Sequence, residues 1–207
     1  MEVTGEASVN APPDFATVML GVTTTGKDAR EAMSANASAV NALIAAIKGE
    51  GVAAADIQTS ELSIMPAFST PPQGSSKPPA IIGYNVSDGV TVTARDLSRL
   101  GRLIDKAVAA GANSTYGVSF GENDPSALLD KARPLAFADA RRKADLYAAA
   151  AGARLGPLLR LAEQGGAQPI PMAGRLYAKA AAAAPTPIEP GEDRLTVSVT
   201  ARFELEE

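Results

Sequence analysis

The chain of 207 residues carries 19 basic and 23 acidic side chains, a net charge of −4. That balance speaks against a general nucleic-acid or anionic-membrane binder, because both need a basic surface. With no cysteine and no histidine, the sequence excludes disulfide frameworks, thiol nucleophiles, the usual zinc sites and every histidine-based triad or general base.

A hydrophobic content of 46% with only 4% aromatics predicts a single domain over residues 1–207, its core formed by alanine-rich helices lying close on sheet. A cysteine-free chain suits the cytosol and the periplasm equally. Met1 is followed at once by Glu2, Val3 and Thr4, the start of a strand, so no signal peptide is read here; a processed mature chain would look the same. No stretch approaches the ~20 apolar residues that span a membrane.

In chain order, Val3, Gly5, Ala7 and Val9 alternate, Pro12-Pro13-Asp14 punctuates, and Ala16, Val18, Leu20 and Val22 alternate again. This predicts two strands joined by a turn. Over 27–48 the period becomes helical, with Met33, Ala37, Val40, Leu43, Ile44 and Ile47 on one stripe. Thr25 and Asp28 stand at its start and Gly49 and Gly51 at its end. The two-residue period returns over 57–68 through Leu62, Ile64, Pro66 and Phe68, and again through Ile82, Tyr84, Val86, Val90, Val92 and Ala94. Between these strands, 69–79 is rich in Pro, Gly and Ser and predicts a mobile hairpin loop.

Asp96 caps a second predicted helix carrying Leu97, Leu100, Ile104, Ala107 and Val108, which Gly111 ends. Tyr116, Val118 and Phe120 predict a short strand. A third helix starts with Asp124 as N-cap and Pro125 at the first helical position, and runs to about residue 151. Pro134 inside it predicts a kink or a split of its first turns. A strand follows over 158–163. Residues 165–190 predict a long surface loop, with a short strand near 175–178 or a helical turn in the alanines at 180–184 as the alternative.

The last stretch, 194–207, alternates Leu195, Val197, Val199, Ala201, Phe203 and Leu205 with polar residues, which predicts a long strand with one buried face. The three helices are expected to cover that face. The charges of Arg202, Glu204, Glu206 and Glu207 predict that this strand lies inside the sheet and that any partner meets a different edge. The order ββαββαβαβ, a loop, then β predicts an α+β fold of mainly antiparallel sheet with three packed helices. Two β-α-β-β stretches suggest a duplication.

Gly21-Val-Thr-Thr-Thr-Gly26-Lys27 nearly matches a phosphate-binding loop, but Asp28 stands where Ser or Thr would hold magnesium, and helix capping explains the same residues. Glu122 and Asp124 suit a turn and a helix start better than an acidic pocket. Lys131, Arg133, Arg141, Arg142 and Lys143 read as a solvated helix face partnered by Asp130, Asp139 and Asp145, with an anionic partner as the alternative. Asn36, Asn85 and Asn113 match the glycosylation pattern and carry no weight in a chain rich in Ser and Thr. No catalytic, cofactor-binding or metal-ligating set emerges. Tyr84, Tyr116, Phe120 and Tyr147 are candidates for lining a small-ligand cleft between sheet and helices, with core or edge packing as the plainer reading.

Several short stretches carry a resemblance when taken in order. They are Val3-Thr4-Gly5-Glu6-Ala7, Pro13-Asp14, Gly51-Val52 with Asp56-Ile57-Gln58-Thr59, Pro66, Gly83-Tyr84-Asn85, Gly111-Ala112-Asn113, Phe120, Ala140 with Lys143-Ala144, and Pro190-Gly191-Glu192. Together they resemble the SIMPL-domain family of bacterial periplasmic and outer-membrane-associated proteins, which includes oxidative-stress-defence proteins and a periplasmic immunogen. The resemblance implies curved antiparallel sheet with helices on it, a periplasmic location and association with the outer membrane. It also implies homo-oligomers, ring- or channel-like in some relatives, and a non-enzymatic part in envelope stress tolerance; it supplies no catalytic residues. Phe68, where relatives often have Tyr, and Pro134 depart from the pattern. The alternative expectation is a small-ligand binding module.

Overall fold

The computed structural model describes residues 1–71, 78–164, 170–171 and 186–207. The elements are β1 (Glu2–Ala11), β2 (Phe15–Gly26), α1 (Ala29–Gly49), β3 (Ile57–Phe68), β4 (Ile81–Ala94), α2 (Leu100–Ala109), β5 (Ser114–Gly121), α3 (Ser126–Ala150), β6 (Arg154–Gln164), β7 (Ile170–Pro171) and β8 (Asp193–Glu206). The expected order is present, with the two-residue β7 added inside the stretch predicted as loop. Most of the two predicted loops, including the alternative strand near 175–178 and the alanine run, lies outside the described residues. The fold is α+β, with two antiparallel sheets and three helices. Contacts gather the chain into two compact units, one of Met1–Asp14, Phe120–Ala178 and Pro190–Glu207, the other of Phe15–Ser119 and Lys179–Glu189.

In the first unit β8 is central, flanked by β1 on one side and by β6 and β7 on the other. The alternation read in the sequence is the burial pattern as far as Phe203: Leu195, Val197, Val199, Ala201 and Phe203 are buried, Leu205 near the strand's end is exposed, and β1 adds Val3 opposite Ala201. Helix α3 lies on that face through Ala132, Ala136, Ala140, Ala144 and Ala148, spaced by four and at most 2% exposed. Side chains this small bring the helix backbone onto the strand. A Cβ on Gly5 would stand 2.2 Å from the Ala136 carbonyl oxygen.

Among the described residues α3 is the helix that packs on β8, where the sequence predicted all three. A helix about 10–12 Å across spans roughly two strands spaced about 4.8 Å, so each sheet needs its own cover, and α1 and α2 belong to the other unit. Helix α3 also runs unbroken through Pro134. That residue is exposed, so water can replace the backbone bond it removes. The Asp124 carboxylate takes the Ser126 N–H, and Pro125 occupies the cap position, one residue later than predicted.

The second unit holds the sheet β3-β4-β2-β5. Its core face presents Ala16, Val18, Leu20 and Val22 beside Val86, Val90, Val92 and Ala94, all buried. Helix α1 packs on β2 and β4 with Ala32, Val40, Leu43 and Ile47. Its start is fixed by Asp28, which accepts from the Glu31 N–H, while Glu31 accepts from the Lys27 N–H. Asn36, 1% exposed, donates its Nδ2 to the carbonyls of Val22 and Val86 and so ties α1 to two strands. Gly111, at φ 117°, turns the chain after α2. Asn113 then pairs with β2 through its backbone to Gly21 and through both ends of its side-chain amide to Thr23.

The two units share a connectivity. In one, β2-α1-β3-β4 places its last strand between the other two; in the other, β1-α3-β6-β8 does the same. The second unit is inserted in sequence between β1 and α3 of the first.

Candidate functional site

Strand β3 pairs only with β4 among the described residues, so one side of it carries backbone groups unpaired within the sheet. From Glu61 to Ala67 its register is unbroken; shifts fall at Thr59/Glu61 and Ala67/Phe68. Leu62 and Ile64 pair with Asp88 and Val86 and share the helix-side face of the sheet, but they lie where α1 no longer covers it. Leu62, Ile64, Met65 (63%), Phe68, Ile81 and Ile82 (66%) are all exposed. Met65 pairs with Asn85 and points to the opposite face, so both faces of the hairpin end are apolar. Glu61 is the one charged residue between 61 and 68. The strand ends are held by Ser69 N–H to the Ala80 carbonyl at 2.8 Å and Ala80 N–H to Ser69 Oγ at 3.0 Å. Beyond its structural role, a hairpin of this kind can accept an added strand and bury apolar side chains on either face.

The four predicted cleft aromatics do not form one set within either unit. Tyr84 pairs with Gly26 on the helix side of the second unit's sheet and lines a depression of about 400 Å³ with Lys27, Glu31, Ala67, Ile82 and Asn85. Tyr116 covers Gly21 on the opposite face, where a Cβ on that glycine would meet its ring at 3.0 Å. Phe120 is half-buried at the end of β5, and Tyr147 is exposed on α3 in the first unit. The stretch from Gly21 to Gly26 is extended strand paired with β4, so it forms no phosphate-wrapping loop, and Asp28 and Glu31 already occupy the start of α1.

A second depression of the same unit, about 320 Å³, has Val52, Ala53, Ala94 and Leu103 in its lining and Asp56 and Arg95 at its rim. Arg95 grips Asp56 with two donors, at 3.0 and 2.8 Å, and this hydrogen bonding holds the Asp56 carboxyl below its ordinary pKa.

The pairing predicted for the basic residues of α3 holds in part: Arg142 and Lys143 pair with Asp139 and Arg133 with Asp130, but Arg133 also pairs with Glu163, and Lys131, Arg141 and Asp145 form no ion pair among the described residues. Lys143 first and then Arg142 hold the Asp139 carboxyl far below the usual carboxylate range, and the Glu6 N–H adds to this. Near the start of β8, burial raises the pKa of Asp193 and Glu122, and for Glu122 the charges of Asp14 and Asp193 add to it. Asp193 Oδ2 and Glu122 Oε1 are buried without a hydrogen-bond partner. Among the described residues no group of three or more His, Cys, Asp or Glu is arranged to hold a metal. No described helix is long and apolar enough to cross a membrane.

Sequence reasoning missed the apolar hairpin end because alternation in β3 looks the same in a central strand and in an edge strand. Its signal was the near absence of charge between 61 and 68.

These features define an α+β protein built on a repeated strand–helix–strand–strand unit, with an exposed apolar strand edge as its most distinctive surface. Residues 1–203 match the SIMPL family, described as "Protein of unknown function (DUF541)", and the chain belongs to that family. It is similar to the 26 kDa periplasmic immunogenic protein of Brucella melitensis, with 37% identity over 208 residues, covering 98% of this chain and 83% of the relative. YggE of Edwardsiella ictaluri is 32% identical over 202 residues, covering 97% and 83% of the two chains. YggE of Escherichia coli K12 is 34% identical over 178 residues, covering 86% and 71%.

Proposed function

We propose that this is a non-enzymatic periplasmic protein that self-associates through the β3–β4 edge and in that form contributes to tolerance of envelope or oxidative stress. The observation that carries the reading is the exposed Leu62, Ile64, Met65 and Phe68 on β3, which among the described residues has one side unpaired within its sheet, with exposed Ile81 and Ile82 beside them on β4. Scattered apolar residues on a surface need no explanation, but a contiguous patch on an edge is a standing invitation to pairing. A second copy of the chain is the occupant that supplies an equivalent edge at matching concentration. The periplasmic location draws support from the name of the Brucella relative.

Sedimentation velocity at micromolar concentration tests the assembly. The wild-type chain is expected to sediment as an oligomer, and Met65→Lys with Ile82→Lys to shift it toward monomer with an unchanged melting temperature, since both side chains are exposed in the free chain. A wild-type chain that is monomeric across a range of salt overturns the proposal. In cells lacking the protein, an assembly-deficient variant that restores oxidant resistance as fully as the wild type would separate stress tolerance from assembly.

The alternative, a small-ligand binding module, draws on the depression beside Leu103 and Arg95. Thermal-shift screening with envelope metabolites tests it, and no shift with any of them rejects it.

A further inference from the structure

The polar face of the first unit's sheet contains a conflict of charge. Strands β6 and β8 set Arg160 directly opposite Arg202, and no other described cross-strand pair places like charges together. Residues directly opposite in an antiparallel pair have Cβ atoms about 5 Å apart on the same face, where like charges repel. A regular register would avoid this. Leu158 pairs with Phe203 and Arg160 with Arg202, so Leu159 is an extra residue in β6, and a further shift lies between Leu155 and Leu158. Without the bulge at Leu159, a leucine would face Arg202 and Arg160 would point to the side covered by α3. Bulges often re-aim a side chain in this way next to a functional site.

Among the described residues neither arginine forms an ion pair; Arg30, Arg141, Arg154 and Arg194 also form none, but of these unpaired arginines only Arg160 and Arg202 stand directly opposite each other across two strands. Glu2 stands opposite Arg202 on β1, but forms no salt bridge with it. The two guanidiniums border a depression of about 210 Å³, completed by Glu2, Ala162, Gln164 and Thr200. Ala162, opposite Thr200, leaves room between the arginines and Gln164. The Gln164 amide donates to Thr200 Oγ1 at 2.6 Å and holds the far wall.

We propose that Arg160 and Arg202 form a binding site for a phosphate group on the open face of this sheet. Each guanidinium offers a planar fork of donors, and two forks from adjacent strands demand more acceptor oxygens than one carboxylate has; a phosphate group supplies them and cancels the repulsion. The phosphate could belong to a soluble phosphate compound or to a lipid headgroup. The site lies on β6 and β8, apart from the β3–β4 edge, and does not depend on self-association.

The test is the melting temperature of the full chain titrated with inorganic phosphate, against chloride at equal ionic strength. Phosphate is expected to stabilise the wild type saturably and chloride not, and Arg160→Gln or Arg202→Gln to weaken the apparent phosphate affinity about tenfold or more. Arg194→Gln, on the same strand and face but opposite Asn10 and Ile170, should keep it. Without phosphate, Arg160→Gln should melt no lower than the wild type, because it removes a repulsion. Phosphate that stabilises no more than chloride, or stabilises Arg160→Gln as much as the wild type, overturns the site. Co-sedimentation with phosphatidylglycerol vesicles, absent with phosphatidylcholine and lost in both arginine variants, would identify a headgroup; phosphate binding without co-sedimentation would identify a soluble phosphate.

Discussion

Replacing Gly5 by alanine adds one methyl group at the tightest contact of the first unit. The new Cβ would stand 2.2 Å from the Ala136 carbonyl oxygen, 2.3 Å from the Ala140 nitrogen and 2.7 Å from the Ala140 Cα. Each of these is backbone, so no side chain can rotate away. To restore ordinary contact, α3 must withdraw from β1 by about 1 Å, and the withdrawal is shared along the stripe from Ala132 to Ala148, which fills the space over Val3, Val197, Val199 and Ala201. Inserting a methylene into a well-packed core costs about 1–3 kcal/mol, and an obstacle that is backbone on one side and a paired strand on the other points to the upper end. At about 2–4 °C per kcal/mol for a chain of this size, Gly5→Ala should lower the melting temperature by about 6–12 °C. Gly49→Ala is the control: nothing lies within 4 Å of that Cβ, so it should be neutral or slightly stabilising. Circular dichroism melts of the three proteins decide the matter. A Gly5→Ala protein melting within about 2 °C of the wild type would refute the reasoning.

Asn36→Ala should destabilise by about 2–3 kcal/mol in urea titrations, since it strips a buried donor from the carbonyls of Val22 and Val86 and leaves a small cavity; a loss under about 0.5 kcal/mol would show that the bonds contribute little. For Asp193, burial raises the folded pKa, so the folded state holds its proton longer than the unfolded one, and stability falls as pH rises from the unfolded value through the folded one. The Glu122 carboxyl is raised in the same sense, by burial first and then by the charges of Asp14 and Asp193. Asp193→Asn should therefore melt higher than wild type at pH 7, and the gain should shrink towards pH about 4; a lower melting temperature at pH 7 would count against it. The opposite sign holds for Asp139, whose folded pKa is depressed: its contribution is present above the unfolded value and is lost as pH falls through the folded one. Asp139→Asn should lower the melting temperature at pH 7 and lose less on acidification than the wild type, and equal acid sensitivity would reject that role.

How much of this was legible in the sequence depended on whether a residue's neighbours in the chain are also its neighbours in space. Alternation in β8 is a local pattern, and it predicted the buried face from Leu195 to Phe203; the i, i+4 alanines of α3 are just as local, but the sequence predicted no buried stripe for that helix. The polar pairing of Arg142 and Lys143 with Asp139 is equally local. The division into two sheets was not visible, because it turns on β1 and β8 meeting across some 190 residues. Asn36 and Asn113 looked like idle glycosylation matches; each is fixed by carbonyls of distant strands. The arginine pair was hidden by the bulge at Leu159, which shifts the register by one residue and which no propensity announces.

The repeated connectivity sharpens the choice of interacting edge. Strands β3 and β6 hold the same place in their units, each an outer strand beside the last one, and each exposes large apolar side chains, among them Leu62, Ile64 and Met65 on β3 and Leu158, Leu159 and Leu161 on β6. Their backbones differ. In β6 two register shifts fall within Leu155 to Arg160, and Pro157 removes a donor between them, so the outer hydrogen-bonding row is broken where the leucines lie. Bulges, prolines and charges are how proteins blunt an edge, and the Arg133–Glu163 ion pair adds charge toward the far end of the strand. In β3 the register holds from Glu61 to Ala67, and Pro66, tolerated on an edge strand, falls near the end of that run. A strand added to β3 would find about five consecutive residues, from Glu61 to Met65, with their backbone amides intact and Leu62, Ile64 and Met65 among them, close to the usual strand length of about 5–6 residues. Of the two equivalent edges, β6 carries the features that blunt pairing and β3 lacks them along Glu61 to Met65, which supports β3 as the edge of the proposed self-association.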